Sequence, residues 1–208
     1  MTGTGMIFVV AAYVTGSIPF GFIIGRSRGL DVRAVGSGNI GATNVARAAG
    51  RALGVMTFVL DGVKGAVVPA LALASGQPPH VAVVAGFAAV FGHCFSVFLS
   101  LRGGKGVSTF VGTFTVLEPV AALAGAAAFA GTLFLLRYVA LASMALLVMV
   151  VAVSAWRHGP AEARTVMAAV STVLVGMRHW QNWTRMWHGT ERKMARGSDA
   201  VDERHGVS

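Results

Sequence analysis

The chain has 208 residues, of which 55% are hydrophobic and only 12% are charged. A soluble domain of this length would carry about twice that charged fraction, so the composition excludes a water-soluble enzyme and indicates an integral membrane protein. The net charge of +9 would suit a nucleic-acid partner, but the positions of the charges argue against one, and the single Cys94 excludes an internal disulfide.

The apolar segments predict seven transmembrane helices in an all-α fold. The first, at about 4–25, has neither a basic leading region nor a small-residue cleavage site, so it is predicted to be a retained span and not a signal peptide. We predict one membrane domain over residues 1–194 and a disordered cytoplasmic tail over residues 195–208, where charges are mixed and apolar residues are few. The other six spans are predicted at about 52–74, 80–100, 106–118, 119–136, 138–156 and 163–180.

The basic residues predict the orientation of the chain. If the N-terminus lies outside, fourteen of the 17 Lys and Arg residues fall on the cytoplasmic side, Arg157 and Arg164 fall outside, and Lys64 lies within a span. Basic residues in short loops collect on the cytoplasmic side of a membrane. We therefore predict that the N-terminus is outside and the C-terminus inside, and that the positive charge reflects topology and an anion site, not nucleic acid.

The first polar segment, residues 36–47, follows the first span. Its three glycines permit left-handed turns and a close approach of the backbone to a ligand. Ser37, Asn39, Thr43 and Asn44 supply neutral hydrogen-bonding groups, and Arg47 supplies a cationic fork that suits phosphate. The glycine spacing matches a dinucleotide fingerprint, but no βαβ unit surrounds it. The segment predicts an anion-binding site, with a purely structural loop as the alternative.

The second polar segment, Arg-Gly-Gly-Lys-Gly at residues 102–106, links the third and fourth spans. It lacks the Gly-Lys-Ser/Thr of a nucleotide-binding P-loop. Two cations beside three glycines nevertheless suit a phosphate, because backbone N–H groups can approach while Lys105 neutralises the charge. The alternative is a basic turn that only sets the topology.

The third polar segment, residues 179–191, follows the last span. His179, Asn182 and Arg185 recur at a spacing of three and share a helix face, which predicts a substrate-facing surface. The alternative is contact with lipid headgroups, and the tryptophans of this segment need no role beyond the membrane interface. Glu191 is predicted to pair with an arginine.

Two charged residues and one histidine within the predicted spans need separate interpretation. Asp61 and Lys64 are three apart, so we predict that they neutralise each other as a structural pair, with support of the site as the alternative. His93 lies near the cytoplasmic end of its span, where it is either a hydrogen-bonded structural residue or part of the site.

Several catalytic patterns are missing from the sequence. It has no Cys/His metal cluster, no His-x4-Asp acyltransferase box, no Gly-x-Ser-x-Gly elbow and no acidic dyad. An enzyme built this way would bind anions and align reactants, which suits an already activated, phosphorylated substrate. We expect neither a metal nor any other cofactor.

Together these segments resemble the bacterial membrane acyl-phosphate:glycerol-3-phosphate acyltransferase family. The likeness covers nearly the whole chain up to about Met194, and Gly16-Ser17-Ile18-Pro19 and Asp61-x-x-Lys64-Gly65 fit it too. It rests mainly on Ser37-Gly38-Asn39-Ile40-Gly41-Ala42-Thr43-Asn44-Val45-x-Arg47, on Gly92-His93-x-Phe95 leading to Arg102-Gly103-Gly104-Lys105-Gly106-Val107, and on His179-x-x-Asn182-x-x-Arg185 through Gly189-Thr190-Glu191.

The resemblance implies a seven-span enzyme of the bacterial cell membrane with its active site facing the cytoplasm. It would move an acyl group from acyl phosphate to the first hydroxyl of glycerol 3-phosphate, giving lysophosphatidic acid and phosphate, with no metal, no nucleic acid and no obligate protein partner. Catalytic roles are implied for Ser37, Lys105, His179 and Asn182. Asp61, Lys64 and Glu191 are expected to give structural support. Substrate-binding roles are expected for Asn39, Thr43, Arg47, His93, Arg102, Gly103, Gly104, Gly106, Ser143 and Arg185.

The sequence departs from the family pattern at Ser96, Leu101 and Ser108, where Pro, an aromatic residue and Ala are usual. These positions support loop geometry more than chemistry. Ser37 as a covalent nucleophile is a less favoured mechanism, because no base adjoins it in the sequence. A transporter for a phosphorylated solute is the alternative function, although no inverted repeat is visible and the polar groups gather at one face instead of the midplane. A non-catalytic membrane scaffold would leave the glycine segments unexplained.

Overall fold

The computed structural model describes residues 3–194, so the tail predicted over 195–208 lies outside the described residues. The described chain is all helical, as predicted. The described part of the chain contains ten α-helices and one 3₁₀ turn, Val97–Leu99. The helices are α1 Gly3–Ser17, α2 Phe20–Arg26, α3 Ala42–Ala49, α4 Arg51–Ala74, α5 Pro79–Cys94, α6 Val107–Leu117, α7 Pro119–Leu136, α8 Val139–His158, α9 Ala163–Arg178 and α10 Trp180–Trp187.

Within residues 3–194, five helical segments are long and apolar enough to cross a membrane: Gly3–Arg26, Arg51–Ala74, Pro79–Leu99, Pro119–Leu136 and Val139–His158. The two remaining predicted spans correspond to α6, with 11 residues, and α9, with 16, and both are shorter than the usual crossing length of about 20 residues. A helix therefore occupies each of the seven predicted segments. The number of spans and the orientation remain predictions.

Helix α6 contacts α4, α5, α7 and α9. It packs against α4, and its Phe110 and Phe114 are fully buried among residues of α5, α8 and α9. The approach to α4 is close enough that a Cβ on Gly112 would meet the backbone carbonyl of Gly62. Small residues of this kind let helices in lipid approach to backbone contact. Because α6 is held so firmly, its N-terminus occupies a fixed place at one end of the bundle.

The break between α1 and α2 at Pro19 leaves two carbonyl groups without helical partners, and buried side chains supply them. The Ser96 hydroxyl donates to the Ser17 carbonyl at 2.6 Å, and the Lys64 ammonium donates to the Ile18 carbonyl at 2.6 Å. Unpaired carbonyls are costly in a membrane. Lys64 also forms a buried ion pair with Asp61 at 2.7 Å, which confirms the predicted pairing. Ser96, which replaces the usual proline, thus has a specific structural partner.

Candidate active site

A cavity of about 140 Å³ lies where the three polar segments meet, and it is called the main cavity below. The loop before α3, the start of α6, helix α8 and helix α10 all contribute to its wall. Most residues selected from the sequence line it together. They are Ser37, Asn39, Thr43, Arg47, His93, Lys105, Gly106, Ser143, His179, Asn182 and Arg185, with the predicted support residues Asp61 and Glu191.

Two helices begin at the main cavity. Helix α3 starts after Gly41 and α6 starts after Gly106, and within residues 3–194 neither start is capped by a side chain. The first N–H groups of a helix have no partner inside the helix and attract anions. Residues 41–43 and 106–108 all line the cavity, so the expected anion site uses helix starts as well as cations. Only glycine readily adopts the φ of +96° at Gly106, which turns the chain into α6.

A chain of polar contacts crosses the main cavity. The Lys105 ammonium donates to the Asn182 side-chain oxygen, and the Asn182 amide donates to Glu191 Oε1 at 2.7 Å. Glu191 accepts a second bond from Arg185 Nε at 2.7 Å, which confirms the predicted pairing with an arginine. Glu191 is 8% exposed and uses both oxygens. The carboxylate therefore orients two side chains, while the Lys105 ammonium contacts an amide oxygen and no carboxylate of the described residues.

The surroundings of Lys105 and Arg47 favour the binding of negative charge. The pKa of Lys105 is lowered to about 8, mainly by burial; Glu191 acts to raise it, while the positive charges of Arg185, Arg47 and Arg178 act to lower it. Burial also lowers the pKa of Arg47, although a guanidinium stays protonated in proteins. Near neutral pH both groups are cationic and lie in the same cavity wall. A bound phosphate would reduce the repulsion between them.

His179 is held as a neutral imidazole. Its Nδ1–H donates to the Val175 carbonyl at 2.8 Å, which leaves Nε2 as the acceptor of the ring. Burial lowers its pKa to about 4, and the positive charge of Lys105 acts in the same direction. A neutral histidine in the cavity wall is suited to accept a hydrogen bond from a substrate hydroxyl.

The Ser37 side chain has no described activating base. Its backbone N–H donates to the Asn44 oxygen at 2.9 Å, while no described residue pairs with its hydroxyl. The geometry thus favours a binding or polarising role for Ser37 over a covalent one. Ser143, by contrast, donates to the Val139 carbonyl at 2.8 Å within its own helix.

Asn44, which the sequence analysis noted but did not select, organises the first polar segment. It is 2% exposed, and its amide donates to the carbonyls of Val32 and Val35 at 2.8 and 3.0 Å while its oxygen accepts from Ser37. Asn39 closes the turn by accepting from Gly41 N–H at 2.8 Å. The signal in the sequence was an amide residue in a glycine-rich polar segment, but its partners are backbone groups that the sequence does not mark.

In the second polar segment, the glycine N–H groups that were expected to approach a phosphate already have backbone partners at two positions. The N–H groups of Gly103 and Gly104 donate to the carbonyls of Cys94 and His93 at 3.2 and 2.9 Å, so they do not face a phosphate. Both glycines are buried, and a Cβ on either would meet His93. Close packing against His93 is by itself sufficient to require glycine at both positions. Gly106 alone of the three glycines lines the main cavity.

Arg102 and Gly103 line a neighbouring cavity of about 800 Å³, which shares Ser37, Asn39 and Lys105 with the main one. Leu101 also lines it, with a left-handed φ of +64°. Lys64 lies behind Asp61 and lines neither cavity, which fits its expected support role.

His93 and the apolar wall complete the main cavity. His93 is 4% exposed, its Nδ1 lies 3.7 Å from Asp61 Oδ1, and that nitrogen has no described hydrogen-bond partner. Ser108, at a position where Ala is usual, also lines the cavity. On another side the wall is apolar and is formed by Phe58, Val107, Phe129, Val139 and Ala140. A single site thus offers cations, neutral donors and hydrocarbon contact.

Comparison with known proteins agrees with this chemistry. Residues 6–189 match the family model described as glycerol-3-phosphate acyltransferase. A glycerol-3-phosphate acyltransferase of Brucella suis is 42% identical over 187 residues, covering 89% of this chain and 91% of the relative. One from Anaeromyxobacter dehalogenans is 43% identical over 197 residues, covering 91% and 97%.

Two crystal structures of PlsY (YgiH), an integral membrane glycerol 3-phosphate acyltransferase, are similar in fold. The glycerol 3-phosphate form has a TM-score of 0.89 and the lysophosphatidic acid form has 0.86. Each is 36% identical to this chain and covers 93% of it, with 96% of the solved chain matched.

Proposed function

Because this chain belongs to the glycerol-3-phosphate acyltransferase family of integral membrane enzymes, we propose that it moves an acyl group from acyl phosphate to the sn-1 hydroxyl of glycerol 3-phosphate. The products are lysophosphatidic acid and phosphate. The reaction takes place in the bacterial cell membrane, with the site open to the cytoplasm and the N-terminus outside.

The observation that carries the proposal is the excess of positive charge at the main cavity. Lys105 pairs with an amide, and Arg47 has no carboxylate in ion-pair contact within the described residues. Two uncapped helix starts add partial positive charge. Both substrates carry a phosphate group, and these groups supply the anions that the cavity lacks.

The mechanism is alignment of two reactants with electrostatic stabilisation. The sn-1 oxygen, hydrogen-bonded to neutral His179, attacks the carbonyl carbon of the mixed anhydride, and a C–O bond forms. Ser37 and the helix starts stabilise the charge on the carbonyl oxygen. The carbon–oxygen bond to the phosphate then breaks, phosphate leaves with that electron pair, and the hydroxyl proton passes to a phosphate oxygen. No protein base is required because the donor is already activated.

The apolar wall gives the acyl chain its place. Phe58 is 44% exposed on the outside of α4, and Phe129 and Val139 continue the hydrocarbon surface into the cavity. An acyl chain entering from the bilayer would pass these side chains before its carbonyl reaches Lys105. The soluble substrate, glycerol 3-phosphate, would enter from water on the side of Arg47 and Arg185.

The choice of donor is the sharpest test of this proposal. The purified protein in lipid is given labelled glycerol 3-phosphate with palmitoyl phosphate or with palmitoyl-CoA. We expect 1-palmitoyl lysophosphatidic acid only with palmitoyl phosphate, and chromatography separates the 1-acyl and 2-acyl products. Turnover with palmitoyl-CoA alone would contradict the donor assignment. Uptake of labelled glycerol 3-phosphate into sealed liposomes without acyl transfer would favour the transporter.

A further inference from the structure

Arg178 is the last residue of α9, and its side chain donates hydrogen bonds to the backbone of the second polar segment. Its Nε donates to the Gly104 carbonyl at 3.1 Å, and its Nη2 donates to the Gly103 carbonyl at 2.9 Å. The guanidinium carbon also lies 5.5 Å from the centre of the Phe95 ring. One planar group thus binds two successive carbonyls and stacks on an aromatic face, which an ammonium does not reproduce.

The opposite side of the same turn is held by the end of α5. The N–H groups of Gly103 and Gly104 donate to the carbonyls of Cys94 and His93. Both glycine residues are therefore held twice, through their N–H groups by α5 and through their carbonyls by Arg178. Side chains are excluded from this turn because a Cβ on either glycine would meet His93.

The doubly bonded turn is next to a residue of the main cavity in the chain. Lys105 follows Gly104 in the chain and precedes Gly106, the residue before α6. The Lys105 ammonium contacts Asn182, and Arg178 immediately precedes His179. The Arg178 contacts therefore join the segment that carries Lys105 to the segment that carries His179 and Asn182.

We propose that Arg178 is a positioning residue for the acyl transfer, which sets the place of Lys105 relative to His179 and Asn182 by binding the Gly103 and Gly104 carbonyls. This inference rests on the proposed function. Arg178 lines the neighbouring cavity and not the main one, so it acts through the turn and not on the reacting atoms. A displacement of about 1 Å at such a site can lower a rate by roughly 100-fold.

The test compares Arg178→Lys with Arg178→Gln, using Arg28→Lys as the control. Arg28 is exposed on the same predicted side and its side chain has no described partner. We expect Arg178→Lys to lower kcat by roughly 10- to 100-fold, with less than a threefold change in KM for glycerol 3-phosphate. Arg178→Gln should be at least as slow, and Arg28→Lys should behave like the wild type.

A second measurement follows Lys105 without any need for turnover. The rate of acetylation of the Lys105 amine is measured against pH by mass spectrometry in wild type and Arg178→Lys. Burial and the surrounding cations place the wild-type midpoint at about 8. Displacement of the turn should move the midpoint upward, toward the ordinary 10.5. Because Arg178→Lys keeps the charge, loss of positive charge does not account for such a shift.

Several outcomes would overturn the proposal. An unchanged kcat in Arg178→Lys would do so, as would a raised KM with kcat intact, which would mean direct substrate binding. A loss of activity that only matches a loss of folded protein, with the labelling midpoint still at about 8, would mean a purely structural residue. If the wild type did not turn over acyl phosphate, the proposed function would fail, while the labelling midpoint would still test the positioning role.

Discussion

The two ends of α6 both carry basic and acidic side chains, but they differ in how many of the basic side chains contact a carboxylate. At its C-terminal end, Glu118 is 3% exposed and contacts Arg157 at 2.9 Å, His158 at 2.5 Å and Arg164 at 3.5 Å, and Arg164 also pairs with Glu162. At its N-terminal end, the Glu191 side chain is 8% exposed, and within the described residues Arg185 is its one ion-pair partner. Arg47 and Lys105 there have no described carboxylate partner.

This difference separates a structural cluster from a binding site. Around Glu118 each basic side chain already contacts a carboxylate, so the cluster connects α6, α7, α8 and α9 without attracting a further anion. Around Lys105 the cations exceed the carboxylates, and the helix starts add to the imbalance. A buried excess of one charge is unfavourable for the protein alone, and it is tolerated where a ligand supplies the opposite charge.

The largest effect is expected from adding a carboxylate next to Lys105, so that its ammonium is paired as the basic side chains around Glu118 are. Asn182→Asp places a carboxylate against Lys105 and should lower kcat/KM by roughly 1000-fold, because the ammonium would then be neutralised before phosphate binds. Steady-state acyl transfer measures the loss, and Gln181→Glu adds the same charge at an exposed neighbour as the control. Equal losses in the two variants would contradict the account.

Glu191→Gln breaks the contacts that orient the site. Arg185 and the Asn182 amide lose a charged acceptor, so kcat should fall by roughly 30-fold. The free energy of unfolding should fall by about 1–2 kcal/mol, since Arg185 is partly exposed and the pair is screened. Activity per folded molecule, compared with unfolding in detergent, separates these effects. Full activity in the folded variant would disprove the orienting role.

The pH dependence reports the charge on Lys105. Because its pKa lies at about 8, the ammonium loses its proton as pH rises through that value, and the positive charge that binds phosphate disappears. We expect kcat/KM to decrease about tenfold per pH unit well above 8. Lys105→Arg, if it retains activity, should keep its rate to higher pH. A profile that is flat to pH 10 would contradict the assignment.

The smallest effect on kcat/KM is expected from a substitution at the C-terminal end of α6. Glu118→Gln should leave kcat/KM within about twofold per folded molecule, since the cluster lies a whole helix away from the main cavity. The free energy of unfolding should fall by about 2–3 kcal/mol, because the buried ion-pair cluster loses its central charge while its arginines stay partly solvated. Thermal unfolding and turnover together distinguish this cluster from a second catalytic site.

The sequence predicted the convergence of the three polar segments because polar side chains are scarce in this chain and have few places to lie. The pairs Asp61–Lys64 and Arg185–Glu191 were predictable for a related reason, since buried charges need partners. The helices at all seven predicted segments follow from the apolar runs. The helical start at Ala42 was not predicted, because the polar composition of 36–47 resembles a loop.

The residues whose roles the sequence did not reveal are those that hydrogen-bond to backbone groups. Asn44 and Arg178 hold the site by contacting carbonyl groups of Val32, Val35, Gly103 and Gly104, and a carbonyl carries no residue-specific signal. The packing role of Gly103 and Gly104 was missed for the same reason. Glycine suits both a ligand contact and a packed turn, and only the position of His93 distinguishes them.

The central claim is that the uncompensated charge of Lys105 serves an acyl transfer between two phosphorylated substrates. Phosphate release is measured with purified protein in lipid, given palmitoyl phosphate with and without glycerol 3-phosphate, for wild type and Lys105→Ala. The account predicts release that requires both substrates and falls by at least about 100-fold in the variant. Release that needs no glycerol 3-phosphate, or that persists in a folded Lys105→Ala protein, would contradict it.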